Sequence, residues 1–165
     1  MTMDTNQGGD IHLPLTDNPG HLVRRLHQIA VSIFLRETEN LDVTPVQYAA
    51  MFTLRDNPGL DQRALARAIA FDRSTIGDVV QRLEKKGLVR REGGRDRRTK
   101  NLFLTIEGER LLDDSVGPIG VFKATLMAPL SEGEQFIFMY LLRKLVIQNN
   151  ELSRVPMGGA AEAER

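Results

Sequence analysis

The chain has 165 residues, no cysteine, and 22 basic side chains balanced by 22 acidic ones. That length suits one compact domain or two small lobes sharing a core, and the apolar and charged fractions are ordinary for a soluble globular protein. Without cysteine there can be no disulfide, no thiol-based redox sensing and no thiolate-held metal. No apolar run is long enough to cross a bilayer and no charged-then-apolar leader opens the sequence, so a cytoplasmic location is expected.

A net charge of zero argues weakly against nucleic acid, but the distribution reverses that. From Arg82 to Lys100 the basic residues Arg82, Lys85, Lys86, Arg90, Arg91, Arg95, Arg97, Arg98 and Lys100 face only Glu84, Glu92 and Asp96. The acidic excess lies elsewhere, in Asp113-Asp114, Glu132, Glu134, Glu162 and Glu164. A basic patch on an otherwise neutral or acidic body is the electrostatic footprint of a DNA-binding face.

Residues 1–18 are polar and without periodicity, and are expected as a flexible arm whose Ile11, Leu13 and Leu15 can dock on the body or on a partner. Asp17-Asn18-Pro19 is a capping signal, and a helix is predicted over His21–Glu39 with Leu22, Leu26, Ile29, Ala30 and Ile33 in one apolar stripe. Thr44-Pro45 opens a second helix, Thr44 as N-cap and proline where its missing N–H costs nothing; Asn57-Pro58-Gly59 ends it. Residues 19–57 thus form an N-terminal helical unit.

A short helix follows, with Leu65, Ala66 and Ile69 on one face, until Ala70-Phe71 breaks the pattern. Asp72 is a good N-cap for the next helix, which runs to about Lys86. Its Ile76, Val79, Val80 and Leu83 make one buried stripe, and Gly87 supplies the left-handed C′ residue. Two short helices joined by a tight turn, the second buried on one face only, make a helix-turn-helix.

On its exposed face stand Asp72, Arg73, Ser74, Thr75, Gly77, Asp78, Gln81 and Arg82. Arginine pairs bidentately with guanine and hydroxyls adapt to several base edges, so the N-terminal residues are candidates for base reading; Gln81 and Arg82 are placed more like phosphate contacts. A merely solvated helix face is the alternative for any single residue among them. Next come two strand-like runs, Leu88–Glu92 and Lys100–Thr105, around the turn Gly93-Gly94-Arg95-Asp96-Arg97-Arg98. Arginines on a thin hairpin can enter a narrow minor groove, with Asp96 orienting Arg98 or Arg95 by a charge-assisted hydrogen bond.

Residues 58–105 thus form a winged helix-turn-helix lobe. Residues 106–150 are read as C-terminal dimerisation helices: Thr105 caps the first, Gly117-Pro118 and Gly120 predict a kink or break, and Ser131 with Glu134 makes a capping box for the last. The last helix carries Phe138, Leu141, Leu142, Leu145 and Val146 on a strongly apolar face. The terminal helices have more apolar surface than one wing lobe can cover, which favours an isologous homodimer. Residues 151–165 have the composition of a disordered tail.

Gly87-Leu88-Val89, the Asp96-x-Arg98 element and Leu102-Phe-Leu-Thr105-x-x-Gly108 resemble the winged helix-turn-helix of the MarR family of bacterial transcription regulators, with a looser match over about residues 20–150. The fold implied is mainly α with a small β-hairpin wing and a helical dimerisation lobe built from both ends of the chain. The resemblance further implies a homodimer, a palindromic double-stranded operator, and release of DNA when a small aromatic effector binds. By position, His21, Arg24, His27, Tyr48, Met51 and Phe52 are effector candidates, and an aromatic carboxylate suits the arginine, histidine and tyrosine. Read by residue type alone, a lone histidine is usually structural or solvent-facing, and Tyr48, Met51 and Phe52 are core.

Two other classes compete with this one. One is an effector-independent winged-helix DNA-binding or protein-interaction module. The other is an enzyme, for which there is no phosphate-cradling glycine loop, no metal-spaced His/Cys set and no nucleophile motif; no cofactor, metal or membrane partner is expected. Repression and activation are indistinguishable at this level.

Overall fold

The computed structural model describes residues 14–93 and 100–158. Seven helices and one hairpin follow in order: α1 Pro19–Glu37, α2 Pro45–Asp56, α3 Gln62–Ala68, α4 Arg73–Lys85, β1 Val89–Gly93, β2 Lys100–Leu104, α5 Ile106–Asp114, α6 Val116–Met127 and α7 Glu132–Gln148. The mainly helical fold with one hairpin agrees with the sequence reading.

Helix starts follow the capping residues closely. Asn18, Thr44, Asp61, Asp72 and Thr105 each accept a backbone N–H of the first turn of α1 through α5. At Thr44 the cap is reciprocal, because Gln47 Oε1 accepts from the Thr44 N–H at 3.1 Å. At Ser131 the Glu134 carboxylate accepts from both the backbone N–H and the hydroxyl, which holds its carboxyl below the usual range. α1 starts at Pro19 rather than His21 and stops at Glu37, two residues early; at the C-cap the Thr38 N–H and hydroxyl both donate to the Phe34 carbonyl.

The break expected near Gly117-Pro118 falls between Asp114 and Val116. Proline has no N–H for the carbonyl four residues earlier and its ring crowds that carbonyl; for Pro118 this is Asp114, the last residue of α5. The buried Ser115 hydroxyl bonds the Leu112 carbonyl at the corner.

One core joins α2, α3, α4, the hairpin and α5. Met51, Leu54, Leu65, Ile76, Leu83, Leu102 and Leu112 are fully buried in it. β1 and β2 pair antiparallel from Val89↔Leu104 to Gly93↔Lys100. The other edge of β2 is covered by the chain before α3: Gly59 N–H donates to the Leu102 carbonyl, and Leu102 N–H to the Leu60 carbonyl, both at 2.9 Å.

α3 and α4 both end in the Schellman pattern. At α4 the N–H of Gly87 (φ +70°) bonds the Glu84 carbonyl and that of Leu88 the Leu83 carbonyl. At α3 the same bonds run from Ala70 to Arg67 and from Phe71 to Ala66. There the left-handed residue is Ala70 (φ 55°), a conformation that costs a non-glycine residue roughly 1–2 kcal/mol.

The terminal helices make a second layer. α1 packs on α6, with Phe34 and Phe122 edge-to-face at 5.8 Å. α7 has no buried residue, and Phe136, Tyr140, Leu145 and Ile147 are exposed; on α1, Leu22 and Val23 are exposed as well. Between α1 and α7 lies an apolar groove of about 480 Å³. No helix among the described residues is long and apolar enough to cross a membrane.

Two segments expected to lack structure hold some. Leu15–Asp17 form a 3₁₀ turn before α1. After α7, Asn150–Leu152 form another, and the Asn150 side chain brackets the Met157 backbone, accepting from its N–H at 2.8 Å and donating to its carbonyl at 3.1 Å.

Gly108 is where α5 meets the end of α4: a Cβ there would overlap the Leu88 carbonyl oxygen. Gly108→Ala is therefore expected to destabilise the fold by about 1–3 kcal/mol, the usual cost of forcing an extra carbon into a tight contact. Chemical denaturation of this variant beside Gly133→Ala, whose added Cβ meets nothing within 4 Å, checks this.

Candidate nucleic-acid interface

α4 buries Ile76, Val79, Val80 and Leu83 and turns Arg73, Ser74, Asp78, Gln81 and Arg82 outward, as the spacing predicts. Lys85, three residues after Arg82, is exposed on the same helix and was not among the predicted contacts.

Two of the predicted contact residues are used otherwise. Asp72 accepts from the Ser74 hydroxyl at 2.5 Å, the Thr75 N–H at 2.8 Å and the Thr75 hydroxyl at 2.6 Å. Its carboxylate builds the start of the helix, and these bonds hold its carboxyl far below the usual carboxylate range. Gly77 is half-buried against α3, where a Cβ would come within 3.1 Å of the Gln62 amide nitrogen. Its use is close approach of the two helices. Ser74 and Thr75 have spent their hydroxyl protons on Asp72, so their remaining capacity is as acceptors, suited to the amino groups of cytosine or adenine.

The predicted wing-tip residues Arg95, Asp96, Arg97 and Arg98 lie outside the described residues. The stem that carries them is tied to α4. Arg91 Nε donates to Glu84 at 2.9 Å, Arg90 lies over the Phe103 ring at 5.0 Å, and Arg90 also pairs with Glu92.

Between the α3 start, the α4 start and the wing stem is a notch of about 260 Å³, lined by Asp61, Gln62, Arg63, Arg73, Arg91 and Lys100. Four cations from four elements converge there, which is the composition of a backbone-phosphate seat. Arg91 and Lys100 were visible as part of the basic stretch, but Arg63 was not. It comes from ten residues before Arg73 and joins the group only through the turn. At the other end of α4, Lys86 Nζ donates to the carbonyl of the left-handed Asp42 (φ 50°) and pairs with its carboxylate at 2.7 Å. A cavity of about 490 Å³ lies beside this contact.

The effector candidates separate into three settings. On α1, an Arg24 guanidinium nitrogen lies 3.3 Å from His21 Nδ1, and His27 is exposed nearby. The Tyr48 ring meets Phe34 edge-on at 5.8 Å and lies tilted to Phe52 at 6.0 Å. Met51 is fully buried among Leu54, Leu65 and Ile76, so it fills the core of the reading lobe. None of the cavities described here is lined by His21, Arg24, His27, Tyr48 or Met51.

Asp72 generates a test. A depressed carboxyl pKa means the cap's contribution is present above the ordinary carboxylate range and is lost only as pH falls through the lower, folded value, so it is constant across neutral pH. Asp72→Ala is expected to lower the melting temperature and to expose the amides of the first turn of α4 to hydrogen exchange, while Asp72→Asn, also a good N-cap, restores most of both.

The chain is similar along most of its length to proteins of assigned role. The MarR family model matches residues 41–99. Transcriptional regulator HosA of Escherichia coli is 35% identical over 136 residues, covering 81% of this chain and 98% of HosA. HTH-type transcriptional repressor NicR of Pseudomonas putida is 32% identical over 133 residues, 80% of this chain and 84% of NicR. Among solved structures, Bordetella bronchiseptica BpsR, whose DNA binding is regulated by 6-hydroxynicotinic acid, superposes with a TM-score of 0.75 at 28% identity, covering 81% of this chain and 97% of BpsR. These relatives are transcription regulators and not enzymes, and the chain, with its capped reading helix and paired wing strands, belongs to the MarR family of winged-helix transcription regulators.

Proposed function

We propose that the protein is a homodimeric repressor that holds a palindromic operator and leaves it when a small aromatic carboxylate binds. The observation that carries this is the pairing, in one chain, of a cationic reading face on α3, α4 and the wing stem with a large uncovered apolar face on α1 and α7. Exposed apolar patches of this kind mark association surfaces. Isologous pairing of these helices presents two copies of α4 to successive major grooves about one helical turn apart, and the Arg95–Arg98 segments to the flanking minor grooves. Such a regulator works in the cytoplasm, on the chromosome.

The aromatic-acid effector is supported by BpsR and by the His21–Arg24 pair, a natural partner for a carboxylate, with Tyr48 and Phe52 offering ring faces. The effector acts by binding more tightly to a spacing of the two α4 helices that no longer fits the operator. A second reading, DNA binding without an effector, is favoured by one observation. Met51 lies in the core, and the cavities of about 490, 260, 480 and 400 Å³ among the described residues do not include the other α1 and α2 candidates apart from Phe52.

Fluorescence anisotropy against the DNA upstream of the gene, at two salt concentrations and with a panel of hydroxylated benzoates and nicotinates, separates the two. Tight, selective binding lost on adding one compound is expected. Selective binding that no compound alters supports the second reading, and weak binding that only salt disrupts removes both the operator and the effector. The particle mass should be twice 18.5 kDa.

Three substitutions refine this. Arg73→Ala is expected to cost roughly 1–3 kcal/mol and relax preference at one base pair. Arg97→Ala should weaken binding to all sequences and reduce the slope of log K against log salt by about 1. Arg24→Ala should keep operator affinity and lose the response to the effector.

A further inference from the structure

We infer that the segment following α7, residues 149–158, is a strap that clamps the turn of the helix-turn-helix and thereby strengthens operator binding. This goes beyond ligand control and needs no effector.

The segment is a closed loop. Asn149 caps α7 through its side chain, Nδ2 donating to the Leu145 carbonyl at 2.8 Å. Asn150 then clasps Met157 from both sides of its backbone, while the Ser153 hydroxyl donates to the Val155 carbonyl at 3.0 Å and accepts from the Val155 N–H at 3.2 Å. The clasp delivers Met157 and Gly158 to the far lobe. There they share a cavity of about 400 Å³ with Phe52, Thr53 and Asp56 of α2 and Ala68 of α3.

The decisive contact is Gly158 N–H to the Arg67 carbonyl at 3.2 Å. That carbonyl already accepts from the Ala70 N–H at 3.3 Å, closing the turn between α3 and α4. The turn depends on Ala70 at φ 55°, without the freedom of glycine. A carbonyl has two lone pairs, so an extra donor adds to the turn without displacing its own bonds. Among the described residues this is the only hydrogen bond from anything after α6 to the reading lobe. The strap therefore joins the end of α7 to the hinge that aims α4.

The consequence is preorganisation. A strapped turn holds α4 in one pose before DNA arrives, and an unstrapped one must be ordered on binding. Asn150→Ala opens the clasp, and Gly158→Pro removes the donor itself. In the full-length protein each is expected to speed hydrogen exchange of the Ala70 and Phe71 amides and to weaken operator binding roughly two- to ten-fold, the span of one net hydrogen bond. The salt slope and particle mass should stay unchanged, because neither residue belongs to the cationic notch or to the apolar groove between α1 and α7. Parent-like exchange at Ala70 and Phe71 in both variants overturns the strap, as does an affinity loss with unchanged exchange. The exchange measurement uses no DNA, so it stands even if the chosen operator fails.

Discussion

Two stretches of chain 18 residues apart meet where α4 ends and α5 begins, and the reading head depends on how closely they meet. The Thr105 hydroxyl donates to the Gly87 carbonyl at 2.6 Å and accepts from the Gly108 N–H at 3.0 Å, while the Thr105 N–H donates to the Leu88 carbonyl at 3.1 Å. One residue thus caps α5, satisfies the end of α4 and closes the wing. Gly108 permits it by having no Cβ where the Leu88 carbonyl lies. The motif Gly87-Leu88 with Thr105-x-x-Gly108 is a single junction written in two places. Its hydrogen bonds make the recognition helix, the wing stem and α5 one rigid unit.

Charge on that unit is arranged by position rather than by total. The chain is neutral, yet the notch between α3, α4 and the wing gathers Arg63, Arg73, Arg91 and Lys100. Acidic residues along α4 and at its ends serve as struts: Asp72 builds the first turn of α4, Glu84 fixes Arg91, and Asp42 takes Lys86 at the far end. An isolated carboxylate near a phosphate would repel it. Asp72, saturated by hydrogen bonds to its own helix, instead holds the turn that carries Arg73. The Arg91–Glu84 pair ties the wing stem to α4.

The remaining surface points to a second copy. α7 contributes little to the core of its own chain, and α1 leaves Leu22 and Val23 uncovered, so the apolar surface at both chain ends is unspent in the single chain. In the proposed dimer the two reading heads are carried on these helices, so their spacing follows the helices' crossing. The strap from α7 to the Arg67 carbonyl adds a second route by which the terminal helices and the reading head are mechanically joined.

Most of the architecture was legible because its signals are local. A cap acts within four residues and an apolar stripe within two turns, so Thr44, Asp72, Gly87 and Thr105 marked their boundaries, and Pro118 marked a break whose position follows from the carbonyl four residues before it. The sequence by itself therefore determined the order of helices, the outward face of α4 and the cationic stretch after it. Tertiary structure decided which residues share a place. It put Met51 in the core, turned Gly77 toward Gln62, brought Arg63 beside Lys100, and folded residues that look like a tail onto the turn at Ala70. None of these could be read from spacing, because each is set by the approach of elements distant in the chain, where one side chain's environment depends on the packing of all the others.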